Sequence, residues 1–365
     1  ILLEIFRVNR EEAEYVQGDD LRGIVASIFE KMGVGAADAR LAADVLVVAD
    51  LRGVDTHGVS NMLRSYMDGY KSGQINPRPN WKVIRESPST ANIDSDRGLG
   101  IIVTPKAMEI AIRKAKAVGV GMVTIGNARH LGMASYHAML ALKHDMIGVC
   151  MTSTPPSMFP TFGAEVRLGT NPIALAAPAD KEAPFVFDAA TTVVAANKLG
   201  LARRLGINLP SGWVADSEGT PIMEEVAPPI PGSEGPQSHL LPLGSTREMG
   251  SHKGYGLACI VEILSSVLTG GGFGAKFGRP NFNHYVAAFH IEAFMDTEEF
   301  KQTMDEFLQT LKSTKPAPGH ERVLYPGLPE AECEIEYAVK GIPLHPEVVE
   351  WMRNTCNDLS IECGF

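Results

Sequence analysis

The densest set of reactive side chains in the sequence lies in residues 50–60, which contain two carboxylates, a guanidinium, two hydroxyls and an imidazole. The imidazole, His57, titrates near neutral pH, so it can give or take a proton at low cost. The neighbouring hydroxyl of Thr56 can fix its tautomer and tune its pKa. The stretch therefore predicts proton transfer. The alternative needs no chemistry: Gly58 would cap the end of a helix, and His57 would face the last carbonyls.

A second imidazole, His130, lies in the loop predicted over residues 126–132, between a strand and a helix. Backbone N–H groups at a helix start attract anions, and ligands of α/β layers gather at the carboxyl ends of strands. With Arg129 beside it, His130 suits a bound carboxylate or phosphate. The alternative is a histidine in an ordinary surface loop.

Two further charged residues stand at the ends of predicted elements. Asp188 ends an apolar strand, where packing explains a carboxylate poorly. It could orient an imidazole, or it could be the N-cap of a helix. Lys253 stands at a helix start, where the dipole opposes a cation and an anionic partner such as a phosphate is favoured. The alternative for Lys253 is an ordinary solvated side chain.

Composition limits the class of protein. The 365 residues are 45% hydrophobic, enough for one large domain or two ordinary ones. A net charge of -10 argues against nucleic acid and anionic membranes as partners, since both need a basic surface. No run reaches the ~18 apolar residues of a membrane helix, and the N-terminal residues do not resemble a signal peptide. Five widely spaced cysteines favour a reducing, cytoplasmic setting, and no spacing supports a metal site.

Apolar periodicity and turn residues predict the elements that position these groups. Helices are expected from about residue 20 to 33 and over 36–49, 60–70, 106–118 (started by Thr104-Pro105), 253–268, 297–311 and 343–359, with another through Ser135, Met139 and Leu142. Strands are expected over 81–93 (as a strand or hairpin), 120–125, 147–152, 172–176, 185–188 and 285–291. The alternation over residues 104–152 is typical of an α/β layer. The prolines of residues 75–79 suggest a domain boundary there.

The glycine-rich stretches do not indicate a standard dinucleotide-binding turn. Residues 119–121 precede their strand and lack a third glycine, and residues 270–274 follow a helix. Neither has the strand, glycine-rich turn and helix that a Rossmann domain requires.

Six segments in order resemble the type-2 malate/L-lactate dehydrogenase family, which also contains ureidoglycolate, sulfolactate and diketogulonate enzymes and a cyclic-imine reductase. They are residues 50–66, 127–132, 168–178, 187–192, 242–264 and 325–330. The resemblance implies a non-Rossmann NAD(P)-binding α/β core over residues 77–295, and a helical domain built from both chain ends, residues 8–76 and 296–365. It also implies a homodimer or higher oligomer with the nicotinamide site near a subunit interface.

The resemblance also implies roles for single residues. His57 would be the proton donor, Thr56 stands where the family usually has serine, and Asp188 matches an aspartate of the same relay. His130 matches a histidine that serves as acid/base in some members and lies beside the cofactor in others. The cofactor site would be lined by His130, Thr152, Ser153, Thr154, Pro178, Asp180, Lys253, Pro326 and Gly327.

Two departures from the family pattern concern the substrate. Many members carry an arginine four residues after the histidine, where it contacts the substrate carboxylate; here that residue is Asn61. Arg64, one helical turn further along, or Arg52 could substitute. The family's Pro-Gly-Glu ends here in Leu328.

The function that this implies is reversible hydride transfer between NAD or NADP and a small 2-oxo acid of the malate/oxaloacetate or lactate/pyruvate type, malate first. The chemistry needs an acid/base for the carbonyl oxygen, a cation or donor set for the carboxylate, and a cofactor site. Reduction of a cyclic imine carboxylate is an alternative with the same requirements. A relative that binds NAD(P)H without turnover is another, motivated by Asn61 and Leu328. The sequence does not decide between NAD and NADP.

Overall fold

A computed structural model describes residues 4–230, 239–277 and 281–365. The helices in these ranges are α1 (Gly18–Lys31), α2 (Ala36–Leu51), α3 (Val59–Lys71), α4 (Gly100–Val118), α5 (Ala134–Met139), α6 (Asn197–Leu205), α7 (Ser251–Glu262), α8 (Gly274–Phe277), α9 (Thr297–Lys312), α10 (Leu328–Lys340) and α11 (Pro346–Leu359). The strands are β1 (Glu14–Val16), β2 (Lys82–Glu86), β3 (Thr90–Asp94), β4 (Val120–Ala128), β5 (Met146–Ser153), β6 (Ile173–Ala177), β7 (Phe185–Ala189), β8 (Val214–Ala215), β9 (His239–Leu240), β10 (Phe282–His290) and β11 (Ile342–Leu344).

The main sheet has seven strands in the order β2-β3-β4-β10-β5-β6-β7. Only β3 and β4 pair in parallel; the other neighbours in this sheet are antiparallel. The expected α/β layer is therefore altered at its centre, because β10 inserts between β4 and β5 from far along the chain. Val286, Ala287 and Ala288 of β10 are fully buried, as a central strand requires.

The structure has two large apolar cores. One is formed by α1, α2 and α3 with residues of α10, β11 and α11, so that both ends of the chain contribute to it. The other packs α4 and α5 against the main sheet. α9 contributes Leu308 to a third cluster with Tyr325 and Leu328. The domain limits at residues 76 and 296 stay a prediction.

The helices predicted over residues 36–49, 60–70 and 297–311 are confirmed as α2, α3 and α9, with ends that move by one or two residues. The residues 81–93 form the hairpin of β2 and β3. The helix predicted over 343–359 starts later, at Pro346, because residues 342–344 pair with β1 as β11. α6 and α10 have no counterpart among the sequence predictions.

The predicted start of α4 at Thr104-Pro105 is wrong. α4 begins at Gly100, so Pro105 lies inside it and removes one backbone donor. Tertiary packing explains the longer helix: Ile101 and Ile102 belong to the helical core, and Val103 belongs to the core under the sheet. The first turn of α4 therefore joins the two cores.

Three other boundaries differ from the sequence prediction. The strand predicted to end at residue 125 continues to Ala128, which leaves a shorter loop around His130. α5 ends at Met139, and a separate 3-10 turn spans Leu142–His144. α7 is α-helical to Glu262 and continues as a π-helical turn over Ile263–Val267.

Candidate active site

His57 lies between the end of α2 and the start of α3. Gly58 is the N-cap of α3 rather than the end of α2, so the alternative of a helix C-terminal glycine is wrong. The Asp50 carboxylate accepts a hydrogen bond from the Val59 N–H at 2.7 Å, and it leaves no room for a Cβ on Gly58. This buried carboxylate therefore fixes the start of α3, and with it the turn that carries His57.

His130 lies in the short turn that follows β4 and crosses the start of α4. The Gly100 N–H donates to the His130 carbonyl at 3.0 Å, and the Arg129 N–H donates to the Gly98 carbonyl at 3.0 Å. From β10, His284 Nε2–H donates to the Arg129 carbonyl at 3.0 Å. The turn is thus held by backbone groups on one side and by the central strand on the other.

The structure brings the two histidines together in one cavity of about 490 Å³. Their ring centroids are 5.7 Å apart, and the ring planes differ by 11°. The Phe282 ring meets His130 edge-on at 5.4 Å. The cavity lies between the helical core and the sheet, and its size falls within the range of small-molecule sites.

The hydrogen bonds of His130 fix its tautomer. Its Nδ1 accepts from the Gly132 N–H at 3.1 Å and from the Tyr66 hydroxyl at 2.7 Å. A backbone N–H can only donate, so Nδ1 carries no proton and the neutral ring carries its proton on Nε2. Burial, followed by the neighbouring His57, His284 and His137, holds the pKa of His130 well below its usual value. His130 is therefore a neutral ring that donates through Nε2.

His57 has a different environment. Its Nδ1 lies 2.9 Å from the Thr56 hydroxyl, which can donate or accept. Its Nε2 has no hydrogen-bond partner among the described residues. Burial lowers the pKa of His57 to about 4, so the ring is neutral near pH 7 in the protein alone. This hydroxyl accommodates either protonation state, which a proton-transferring imidazole requires.

The structure does not bring the three predicted carboxylate-binding residues to the cavity. The Asn61 amide donates to the Asp55 carbonyl at 2.6 Å. Arg52 forms an ion pair with Glu334, and Arg64 pairs with Glu347 and stacks on a tryptophan ring. None of the three lines the cavity, because each is held by a partner elsewhere.

Arg129 does line the cavity, together with His57 and His130. Its side chain is among the buried charged groups of the protein, at 6% exposure. Burial and the charge of Arg97 lower the pKa of Arg129 from its ordinary value. The sequence singled out Arg129 as a partner for an anion, and it is the arginine that reaches the pocket.

The Asp188 carboxylate lies at the start of α5, and no hydrogen bond joins it to an imidazole among the described residues. Its carboxylate accepts from the Ser135 N–H at 2.7 Å, and burial raises its pKa to about 6. It serves as a cap, but for a helix elsewhere in the chain, since no helix directly follows β7. A relay from Asp188 to His57 stays a prediction.

The residues predicted to line the cofactor site fall into two groups. Thr154 lines the cavity, and Thr152 and Ser153 are buried behind it at the end of β5. The Thr152 hydroxyl lies 2.8 Å from His284 Nδ1 and so joins the network that holds the Arg129 turn. The others do not line this cavity: they are Pro178, Asp180, Lys253, Pro326 and Gly327.

The second group has its own local roles. The Asp180 N–H donates to Asp305, and Lys253 is exposed near the start of α7. The Pro326 carbonyl accepts from the Val186 N–H at 3.0 Å, and Gly327 packs against the same backbone at a φ of 96°. Their cofactor contacts stay a prediction.

The cavity residues that the sequence prediction lacked include two that bond to the segments carrying the histidines. Tyr66 binds His130, and the Asn197 amide donates to the Thr56 carbonyl at 2.8 Å. Tyr66 follows Met62 by four residues on the buried face of α3, a spacing that only indicates packing. Asn197 opens α6, a helix that the sequence analysis did not predict.

Within the described ranges, no cluster of three or more His, Cys, Asp or Glu could hold a metal ion. None of the helices described is both long enough and apolar enough to cross a membrane.

Comparison with known proteins gives a consistent result. The family model for malate/L-lactate dehydrogenase matches residues 16–353. The chain belongs to this family. It is 41% identical over 355 residues to a malate dehydrogenase from Pyrococcus horikoshii, covering 95% of this chain and 96% of that protein. It is 39% identical to an L-sulfolactate dehydrogenase from Methanocaldococcus jannaschii, over 93% of this chain and 95% of that protein.

The fold agrees with the family. The crystal structure of a malate dehydrogenase from Entamoeba histolytica superposes with a TM-score of 0.91 at 33% identity, covering 97% of this chain and all of that one. The chain is therefore an oxidoreductase of the malate/L-lactate dehydrogenase family that acts on a small hydroxy or oxo acid.

Proposed function

We propose that this enzyme catalyses reversible hydride transfer between NAD(P)H and a small 2-oxo acid, with His57 as the group that gives and takes the proton. The observation that carries the proposal is the pair of imidazoles with different hydrogen bonding in one cavity. His57 Nε2 has no hydrogen-bond partner among the described residues and its Nδ1 faces a hydroxyl, whereas His130 is fixed as a donor through Nε2.

Reduction of a carbonyl needs a hydride on carbon and a proton on oxygen. The nicotinamide supplies the hydride when it is bound. His57 supplies the proton from Nε2, and the Thr56 hydroxyl turns to accept from Nδ1–H of the charged ring and to donate to the neutral one. His130 Nε2–H stabilises the negative charge that develops on the oxygen, as a fixed dipole does.

Protonation of His57 depends on the bound anion. With a pKa of about 4 in the protein alone, His57 is neutral near pH 7 and is ready to take a proton in the oxidation direction. A carboxylate bound nearby favours the charged ring and raises this pKa. Reduction therefore takes up a proton together with the oxo acid.

The cavity and its hydroxyl lining fit a nicotinamide ring. Thr154, Ser157 and Thr170 line one wall and provide donors and acceptors for a carboxamide. The mixed, mostly antiparallel sheet supports a cofactor site outside the Rossmann pattern, in which a parallel sheet carries the dinucleotide. The proposal holds for NAD or NADP.

Malate and oxaloacetate are the first substrates to test, because the relative with 41% identity bears that name. Sulfolactate is a second candidate, because a relative at 39% identity is named for it. Malate and sulfolactate are both 2-hydroxy acids with a second anionic group.

An exposed apolar stripe supports the homodimer. Leu257, Ile260, Ile263 and Val267 repeat every three or four residues along α7 and its π-helical turn, and they are 37–56% exposed. We propose that a second copy covers this stripe, since a contiguous apolar surface favours association. Ile260→Asp should shift the sedimentation coefficient to that of a monomer, whereas Ile84→Asp, on an exposed strand, should not. Unchanged association in Ile260→Asp would exclude this interface.

A cytoplasmic location stays a prediction.

The function is tested by oxidation of NADH and NADPH against oxaloacetate, pyruvate, sulfopyruvate and a cyclic imine carboxylate. Rapid oxidation with one 2-oxo acid, and a far slower reaction with the imine, is the expected result. A preference for the imine would replace the proposed substrate class. Tight cofactor binding without any oxidation would indicate a relative that has lost turnover.

A further inference from the structure

The guanidinium of Arg129 is buried, and no carboxylate of the described residues pairs with it. Its Nε donates to the Gln74 carbonyl at 2.8 Å, and its Nη1 donates to the Ala128 carbonyl at 2.8 Å and to Asn281 Oδ1 at 3.2 Å. All three partners are neutral, and Nη2 donates to no group among the described residues. Burial of an unpaired charge is costly, so such a group in an open cavity points to an anionic ligand.

Two other arginines with low side-chain exposure are balanced in a different way. Arg52, with a side-chain exposure of 7%, pairs with Glu334. Arg204, at 19%, pairs with Glu347. Each of these two arginines pairs with a carboxylate of the protein, whereas no carboxylate in the part of the chain that the structure describes pairs with Arg129. Arg129 instead lines a cavity that can admit an anion from solution.

We propose that Arg129 binds the carboxylate of the substrate. The inference rests on the proposed function and names the cation that the reaction needs. Asn61 stands at the position of the expected arginine, and its amide donates to the Asp55 carbonyl, so it does not replace that arginine. Arg129 would supply the missing cation. The carboxylate-binding arginine has moved from α3 to the turn after β4.

The position of Arg129 beside His130 favours a substrate carboxylate over a cofactor phosphate. In a 2-oxo acid the carboxylate carbon is bonded directly to the carbonyl carbon, so the cation and the carbonyl donor must be neighbours. Arg129 and His130 are consecutive and line the same cavity. Nη2 of Arg129, whose hydrogens meet no other acceptor among the described residues, can donate to the carboxylate, and the His130 Nε2–H suits the carbonyl oxygen.

The test compares an acid with its neutral amide. Steady-state kinetics with pyruvate and pyruvamide would be measured for wild type, Arg129→Gln and Arg129→Lys. The control is Arg97→Gln, which removes a nearby exposed charge. Arg129→Gln should lower kcat/KM for pyruvate by about 30-fold or more, with a much smaller loss for pyruvamide. Arg129→Lys should fall between, and Arg97→Gln should stay within about twofold of wild type.

Two outcomes would overturn the inference. Equal losses for pyruvate and pyruvamide would mean that Arg129 only supports the turn through Gln74 and Ala128. A rise in the Kd of NADH or NADPH, with KM for the oxo acid unchanged, would assign Arg129 to a cofactor phosphate.

Calorimetric titration of oxalate into the protein–NADH complex separates this inference from the proposed function. If wild type turns over no oxo acid, yet binds oxalate about 30-fold or more tightly than Arg129→Gln, the proposed function fails and the carboxylate site stands. If wild type turns over oxo acids and Arg129→Gln binds oxalate equally well, only the inference fails.

Discussion

His57 and His130 lie in the same cavity with nearly parallel rings, but their Nδ1 atoms meet different partners. His130 Nδ1 receives a backbone N–H and the Tyr66 hydroxyl, so its protonation is fixed. Among the described residues, His57 Nδ1 meets the Thr56 hydroxyl alone, which can either donate or accept. In the proposed mechanism, the partner of Nδ1, more than burial, distinguishes the imidazole that transfers a proton from the one that only donates a hydrogen bond.

The largest effect is expected from removal of the His57 imidazole, the proposed proton donor. His57→Ala should lower kcat by about 10³-fold, because no other group replaces the proton transfer. NADH affinity and the unfolding transition should remain near wild type. His320→Ala, at an exposed histidine, is the matched control. A kcat within a few-fold of wild type in His57→Ala would remove the contrast between the two rings.

A smaller loss is expected at the hydroxyl that serves His57. Thr56→Val keeps the shape but removes the hydrogen bond, and should lower kcat by about tenfold, with Thr56→Ser near wild type. Steady-state kinetics of both variants would check this. If Thr56→Ser were as impaired as Thr56→Val, the methyl group rather than the hydroxyl would matter.

Activity should be less sensitive to loss of the hydrogen bond between Tyr66 and His130. Tyr66→Phe leaves the Gly132 N–H on His130 Nδ1, so kcat/KM should fall by only about fivefold. Tyr70→Phe is a strong control, because Tyr70 lies on the same helix and its buried hydroxyl has no hydrogen-bond partner among the described residues. A loss in Tyr66→Phe as large as that in His57→Ala would make Tyr66 part of the proton transfer itself.

His137 is a third buried imidazole, and it does not line the cavity. Its Nε2–H donates to the Leu131 carbonyl at 2.8 Å, and burial lowers its pKa to about 4. The unfolded chain therefore binds more protons below the usual pKa of about 6.5, so this ring costs stability as the pH falls toward 4. His137→Leu should leave kcat near wild type.

The stability of this variant should depend on pH in a defined direction. His137→Leu should be less stable than wild type near neutral pH, and the gap should narrow by about 2 kcal/mol at about pH 5. Urea unfolding of both proteins at the two pH values measures this gap. A gap that widens at low pH would show that His137 is charged in the fold.

The two imidazoles can be predicted from the sequence, because each is a titratable group in a loop that joins predicted elements. Their different hydrogen bonding cannot, since Tyr66 reaches His130 from 64 residues away and its spacing is typical of an ordinary aromatic on a buried helix face. Arg129 can be predicted as a partner for an anion, but only the fold brings its neutral partners Gln74 and Asn281 near it.

In the fold, too, local features can be predicted from the sequence and long-range contacts cannot. α2, α3 and α9 follow from local periodicity, and their bounds were predicted closely. The insertion of β10 between β4 and β5 is a long-range pairing that no local pattern encodes. The early start of α4 at Gly100, ahead of a proline, is set by burial of its first turn in two cores.

The most direct test of the central claim is the pH dependence of kcat/KM for reduction of the preferred 2-oxo acid, in wild type and His57→Ala. Because His57 must be charged to donate and its pKa is about 4, wild-type kcat/KM should fall steadily as the pH rises from about 5 to 8. His57→Ala should show little slope. A wild-type profile that is flat over this range, or one that His57→Ala reproduces in slope, would contradict the assignment of the proton to His57.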